Sequence, residues 1–340
     1  MDPSLREQAA QLLAKTPVID GHADFAWRHL EEDADVVSGR NCHHISLETW
    51  QAAHVRLQGA ALYTPVEHRG EAATAYALRM LDYIEEAVSA SRGDLRLVRN
   101  MIEVDALGLE DSARREVGLL LWIEDAAPFR GSLDVAERFL ERGVRGVGLT
   151  HNVANEVGDG CGVEEPTGLT EFGHELIVAL QSKRVIVDLA HLSRPAFWDA
   201  VRHTHVPMVV SHTGLEKKLE LPVPRNLDDQ QVHALADTGG VIGIDFCPGH
   251  IGKLSPRGVA RAKVADVADC VDHVVALVGD DHVALGSDFD GYHTDCEGLE
   301  TVEQLPNLIA ELLGRGYDDA RLEKLLYRNW LRVLREVFGE

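Results

Sequence analysis

The chain lacks any apolar run near the ~20 residues that a membrane-spanning helix requires. It is short of positive charge as well: 33 Lys and Arg stand against 56 Asp and Glu, a formal net charge of −23. That balance repels nucleic acid and anionic lipid, so neither is an expected partner. Cysteine pairing is also missing. The five cysteines (Cys42, Cys161, Cys247, Cys270 and Cys296) are odd in number and form no C-x-x-C pair, which fits reduced thiols. The opening M-D-P-S-L-R-E-Q-A-A has neither the basic start nor the apolar core of a signal peptide, and a cytoplasmic location is the expectation. What is present is an ordinary globular composition, 45% hydrophobic, together with 17 histidines.

The stretch V-I-D-G-H-A-D at 18–24 organises the rest. Read as a buried strand, it puts His22 and Asp24 on one face, because side chains alternate with a period of two. An imidazole and a carboxylate side by side at the end of a rigid strand make half a metal site. An ordinary strand ending in polar residues would look the same, and later apolar runs decide between the two.

In chain order, a first helix is expected with Asp2 as its cap, Pro3 in its first turn and Leu5, Ala9, Leu12 and Leu13 as its apolar stripe. Residues 25–55 read as a long loop with some helix. Adjacent side chains point apart on any regular element, so His43 and His44 read as a solvated loop and not as ligands. A second strand is expected at 56–63, a helix over 72–91, and 94–115 is open either way. The run E-V-G-L-L-L-W-I-E at 116–124 is a strand covered on both faces, ending in Glu124 and Asp125. A helix over 132–142 precedes a fourth strand at 144–150, which ends at His151. A Gly-rich loop over 152–170 leads to a helix at 171–183, and a strand at 185–189 leads to His191. After a helix at 197–203, a strand at 207–211 leads to His212. The loop 213–228 holds Pro222, Pro224 and Arg225. A helix at 229–238, a strand at 239–246, a helix near 265–278 and a strand at 283–287 bring the chain to Asp288. The last helix covers 320–338, with Leu322, Leu325, Leu326, Leu331 and Leu334 inward.

Eight strands, each followed by helix-capable sequence, predict an α/β fold, a parallel (β/α)8 TIM barrel, as one domain over 1–340. In such barrels chemistry sits at the C-terminal strand ends. Here those ends carry His22, Asp24, Glu124, His151, His191, His212 and Asp288. Imidazoles and carboxylates together suit Zn2+ or a similar divalent ion, and their number exceeds the need of one tetrahedral metal. Two ions are therefore expected, with Glu124 placed to bridge them. His68, His174, His203, His205, His233, His273, His282 and His293 lack this context. Asp245 also ends a strand and reads as a supporting residue.

These residues carry a resemblance. The blocks D-G-H-A-D at 20–24, I-E at 123–124, L-T-H-N at 149–152 and V-D-L-A-H-L-S at 187–193 occur in order. S-H-T at 211–213, P-R-N-L-D-D at 224–229, G-G-V-I-G at 239–243, G-S-D-F-D-G at 286–291 and Asn329-Trp330 complete the set. Together they resemble the membrane (renal) dipeptidase family, peptidase family M19 of the amidohydrolase superfamily. The resemblance implies a zinc-dependent dipeptidase acting through a water that bridges two zinc ions per chain. His22 and Asp24 would bind the first zinc, His191 and His212 the second, and Glu124 would bridge them. His151 would polarise the scissile carbonyl, Arg225 would hold the substrate's terminal carboxylate, and Asp288 would carry the proton to the leaving amine. Asp125 stands where family members often have glycine, which touches the shape of the pocket. Secreted relatives have leader and lipid-anchor signals that this sequence does not show. The implied partner is a small dipeptide, and a homodimer is compatible with the sequence. Another amidohydrolase activity (lactonase, phosphotriesterase, amidase or deaminase) is the alternative, although the fourth strand lacks the lysine that many two-metal members carbamylate. A non-catalytic metal-binding barrel is a further alternative, yet neither Asp288 nor any ligand is missing.

Overall fold

Eight apolar segments are buried along their whole length, as expected of strands covered inside and out. In the computed structural model, which describes residues 3–202, 204, 206–216, 223–254 and 260–339, they are β1 (Val18–Ala23), β2 (Val55–Leu62), β3 (Val117–Ile123), β4 (Gly146–Gly148), β5 (Ile186–Asp188), β6 (Val209–Thr213), β7 (Val241–Ile244) and β8 (Val283–Leu285). All pair in parallel with their neighbours, and Asp20 opposite Leu285 closes β8 onto β1. The result is the (β/α)8 barrel that the alternation of strand and helix predicts.

The open stretch 94–115 supplies an extra strand, Leu95–Leu97, and a helix, Met101–Ala106. The strand pairs with the start of β3, along an edge that β4 reaches only at Trp122. The helix expected at 197–203 is Arg194–Val201 instead. Ser193 caps its first turn by accepting the Ala196 N–H, and Pro195 follows, a start signal stronger than the apolar pattern. Residues 25–55 hold two helices, Phe25–Glu32 and Leu47–Ala52. Asp2, His203, His205 and Pro222 lie outside the described residues.

Alternation divides the buried side chains into two sets. Leu119, Leu121 and Ile123 of β3 face the helices, while Leu120 and Trp122 face the barrel interior with Ile19, Ile186 and Val209. Trp330, from the C-terminal helix Asn329–Phe338, plugs this interior. Its Nε1 donates to the Leu285 carbonyl at 2.8 Å, and Asn329 donates to the carbonyls of Asp280 and Val283 at 2.7 Å each. Gly21 is glycine because a Cβ there would drive into the Trp330 ring, and Gly146 makes the same room for Trp122. The barrel is filled below and polar above.

Candidate metal centre

Two strands reach the mouth through the same irregularity. In the β1–β2 ladder, three steps from Asp20 to Ala23 match two steps from Gln58 to Ala60. In the β6–β7 ladder, three steps from Val210 to Thr213 match two from Ile242 to Ile244. Each bulge inserts one residue and turns a histidine toward the mouth, a common device beside active sites. His22 and His212 then meet ring to ring, with centroids 3.9 Å apart and planes tilted by 30°. The sequence places His212 just past its strand, whereas it lies within β6 because the extra residue lengthens the strand. Glu124 follows Trp122 by two residues and continues the inward face of β3.

The distances define two adjoining groups. His22 Nε2 is 3.5 Å from Asp24 Oδ2 and 3.6 Å from Glu124 Oε2. The other oxygen of Glu124, Oε1, is 3.3 Å from His191 Nε2, 3.7 Å from His212 Nε2 and 3.8 Å from His151 Nε2. Asp288 joins His22 and Asp24 in one cluster of potential ligand atoms. The structure thus brings all seven strand-end residues to one mouth.

The donor atoms suit a cation. His191 Nδ1 lies 2.9 Å from Asn152 Oδ1, an acceptor, so it carries the hydrogen and leaves Nε2 bare. His212 has its Nδ1 2.9 Å from the Ser211 hydroxyl, and the two Nε2 atoms face each other at 3.0 Å. His22 Nε2 and Asp24 Oδ1 are buried with no hydrogen-bond partner. A buried unsatisfied group costs about 1–3 kcal/mol, and a divalent ion among these atoms would remove that cost.

Electrostatics split the mouth. Burial and the adjacent Glu124 push the Asp24 carboxyl up to about 6. Burial, with Asp24 beside it, lifts Asp288 well above the usual carboxylate range. Burial opposes charge on His22, yet Glu124 and Asp24 hold it well above the ordinary imidazole value. Across the mouth, burial and the Arg225 guanidinium push His191 well below that value, and burial with His22 does the same to His212. Burial takes His151 down to about 4, Arg225 adding to the fall against the pull of Asp125.

Two non-glycine residues of the site, His191 (φ 64°) and Asp288 (φ 59°), hold left-handed backbone, a strain typical of functional positions. Two buried aspartates support them. Asp20 accepts the Ser287 N–H at 2.8 Å and its hydroxyl at 2.6 Å. Asp188 accepts the N–H groups of Ala190 and Ser211 and the Trp122 indole N–H.

A cavity of about 270 Å³ opens above the cluster, sized for a small ligand. Beyond the expected residues its wall includes Trp27, Tyr63, Asn152, Cys247 and His250. His250 is fixed by Asp245, whose Oδ2 is 2.7 Å from its Nδ1, so Asp245 acts as a support. Arg225 is buried but is not part of this wall. One of its terminal nitrogens donates to the His212 carbonyl at 2.7 Å, while its Nε has no partner. The nearby carboxylates Asp228 and Asp229 pair elsewhere, with Arg194 and His273 respectively. Asp125 does not line the cavity either. Arg69, Asn155 and the Ala127 N–H occupy its oxygens. His44 corrects the expectation of a solvated loop: it is buried against Asp290, a partner remote in sequence. Among the described residues no helix is long and apolar enough to cross a membrane.

Comparison with known proteins agrees with this geometry. Residues 6–338 match the model of the membrane dipeptidase family, peptidase family M19. An uncharacterized protein in the pqqA 5′ region of Klebsiella pneumoniae is 35% identical over 268 residues, covering 77% of this chain and 96% of its own length. Dipeptidase 3 of Mus musculus is 27% identical over 347 residues, 99% of this chain and 67% of its own length. Dipeptidase AC, a solved metallopeptidase of family M19, superposes with a TM-score of 0.87 at 28% identity over 96% of this chain and all of its own. A Rhodobacter sphaeroides metallopeptidase, solved with a phosphinate mimic of the dipeptide L-Ala-D-Ala, gives 0.87 at 27% identity over 95% of this chain and 99% of its own. With the barrel, the ligand-type residues at its mouth and the match along nearly its whole length, the chain belongs to the membrane dipeptidase family of metal-dependent dipeptidases.

Proposed function

We propose that the protein hydrolyses dipeptides with two zinc ions bound, one by His22 and Asp24, the other by His191 and His212, with Glu124 shared between them. The observation that carries this reading is the division of Glu124, one oxygen turned to His22 and the other to His191 and His212. When bound, the ions supply Lewis acidity and a water acidic enough to attack an amide. The chain's own residues do the remaining work. His151, kept neutral by burial, can donate a ring N–H to the scissile carbonyl as negative charge builds there. Asp288 accepts a proton from the attacking water and returns it to the leaving amine, so that amide and water become amine and acid. Arg225, outside the cavity wall in this structure, turns its guanidinium with the unpartnered Nε toward the cavity to hold the carboxylate of the residue beyond the scissile bond.

The reading extends to a cytoplasmic enzyme without nucleic-acid or membrane partners, and to a homodimer that light scattering would test. Its central test is elemental analysis of the purified protein followed by turnover on a library of L,L- and L,D-dipeptides. The L,D members are included because the Rhodobacter relative accepts a mimic of L-Ala-D-Ala. Fully active enzyme holding one ion or none overturns the shared pair. Two ions with no dipeptide turnover overturns the substrate assignment and turns attention to lactones and other amides.

A further inference from the structure

The turn that carries Asp288 is strained and is held from outside. Asp288 (φ 59°) and Asp290 (φ 68°) both occupy left-handed backbone, which side chains other than glycine's rarely adopt. Gly291 has no room for a Cβ, which would run into the carboxylates of Asp288 and Asp24. Such a turn persists only where neighbours over-determine it. Asp20 grips it at Ser287. On the other side Arg28, only 2% exposed, donates through Nε to the Asp290 carbonyl and through a terminal nitrogen to the Tyr292 carbonyl, 2.7 Å each.

Backbone bonds from Asp288 N–H to the His22 carbonyl and from Asp24 N–H to the Phe289 carbonyl tie the turn to β1, and His44 supplies a further grip. The Asp290 N–H points at His44 Nδ1 at 2.8 Å, and the His44 N–H points at Asp290 Oδ1 at 3.1 Å. A backbone N–H can only donate, so Nδ1 must be bare and the ring hydrogen must sit on Nε2. That assignment agrees with the far side of the ring, where Nε2 lies 3.1 Å from Asp295 Oδ1, an acceptor. Asp290 Oδ1 also lies 3.1 Å from Nδ1, and its hydrogen comes from the His44 backbone. The ring itself stacks on Phe289, the residue after Asp288, with centroids 5.3 Å apart.

We infer that His44 is a positioning residue for Asp288: in its Nε2–H tautomer it caps the Asp290 N–H and holds the strained turn that aims the Asp288 carboxylate at the metal centre. This rests on the proton-carrying role proposed for Asp288. The test joins a spectrum to kinetics. In zinc-loaded protein labelled with ¹⁵N-histidine, the His44 resonances, assigned by their loss in His44→Asn, should report bare Nδ1 and protonated Nε2 at neutral pH. His44→Leu should lower kcat about 10-fold with KM held within about twofold and zinc content unchanged, the signature of a misaimed group. His44→Asn places Oδ1 where Nδ1 was and should restore most of kcat. On an Asp288→Asn background, His44→Leu should cost nothing further. The opposite tautomer, an undiminished effect in the double variant, or His44→Asn no better than His44→Leu would each overturn the inference. Asp288→Asn with full turnover would remove the role of Asp288 and not the clamp, which the nitrogen spectrum then decides alone.

Discussion

On the β1–β8 side of the mouth, His22, Asp24 and Asp288 crowd two carboxylates around one imidazole. On the β4–β6 side, His151, His191 and His212 crowd three imidazoles near one guanidinium. Burial opposes charge on both sides, yet the outcomes differ. Carboxyls rise on the first side, and imidazoles fall to their neutral form on the second. One side presents crowded carboxyl oxygens, the other bare nitrogen lone pairs, and Glu124, just past β3, faces both. The difference shows that neither half is complete by itself. A cation would neutralise one and satisfy the other.

Removing the shared carboxylate should abolish the distinction altogether. Glu124→Gln is expected to lose ions from both sides and to lower turnover on the order of 10³-fold, since metal activation supplies several kcal/mol. His191→Ala should empty chiefly the imidazole side, and elemental analysis separates the two results. Next in size, Asp288→Asn should keep both ions and the melting temperature while cutting kcat by ~10²-fold or more. Near-normal kcat would take Asp288 out of the mechanism. Smaller again, Arg225→Ala should lower kcat/KM for free-acid dipeptides by about 10- to 100-fold, as loss of a charge-assisted bond implies, and leave C-terminally amidated dipeptides nearly unchanged. Wild type that cleaves both forms equally well would refute the carboxylate grip.

The smallest effect appears only without metal. Asp24 has its carboxyl raised to about 6 from 3.8. A raised carboxyl lowers stability above that value, and the loss fades as pH falls toward the ordinary one. Metal-free Asp24→Asn should therefore melt a few degrees above metal-free wild type at pH 7, with the gap closing between about pH 6 and 4. Zinc should reverse the order. Equal melting curves for the two metal-free proteins would show that the acidic side carries no such strain.

The barrel is readable from the sequence because it rests on local periodicity: apolar runs of strand length alternating with helices. The residues at its mouth are readable for the same reason, since each closes such a run. The bulges in β1 and β6 are not, because an extra residue leaves no mark on a short apolar stretch. His44 escapes because Asp290 defines its role from the other end of the sequence, and a histidine pair gives no hint of that contact. Asp20 and Asp188 look like strand residues, although each fixes a neighbouring strand through its carboxylate. His250 and Cys247 follow β7 in a segment with no pattern of its own. Asp125 draws attention by standing beside Glu124, but alternation turns it away from the cavity and into the hands of Arg69 and Asn155.

Trp330 and Gly21 meet inside the barrel although they lie near opposite ends of the sequence. On the ribosome, β1 emerges long before the tryptophan. Until then the interior between Ile19, Trp122 and Ala284 stays unfilled and the carbonyls of Val283 and Leu285 lack their side-chain donors. Closure of the ring thus waits for Asn329 and Trp330, and a chain arrested before them would hold every ligand-type residue of the mouth while lacking the piece that fills the barrel beneath.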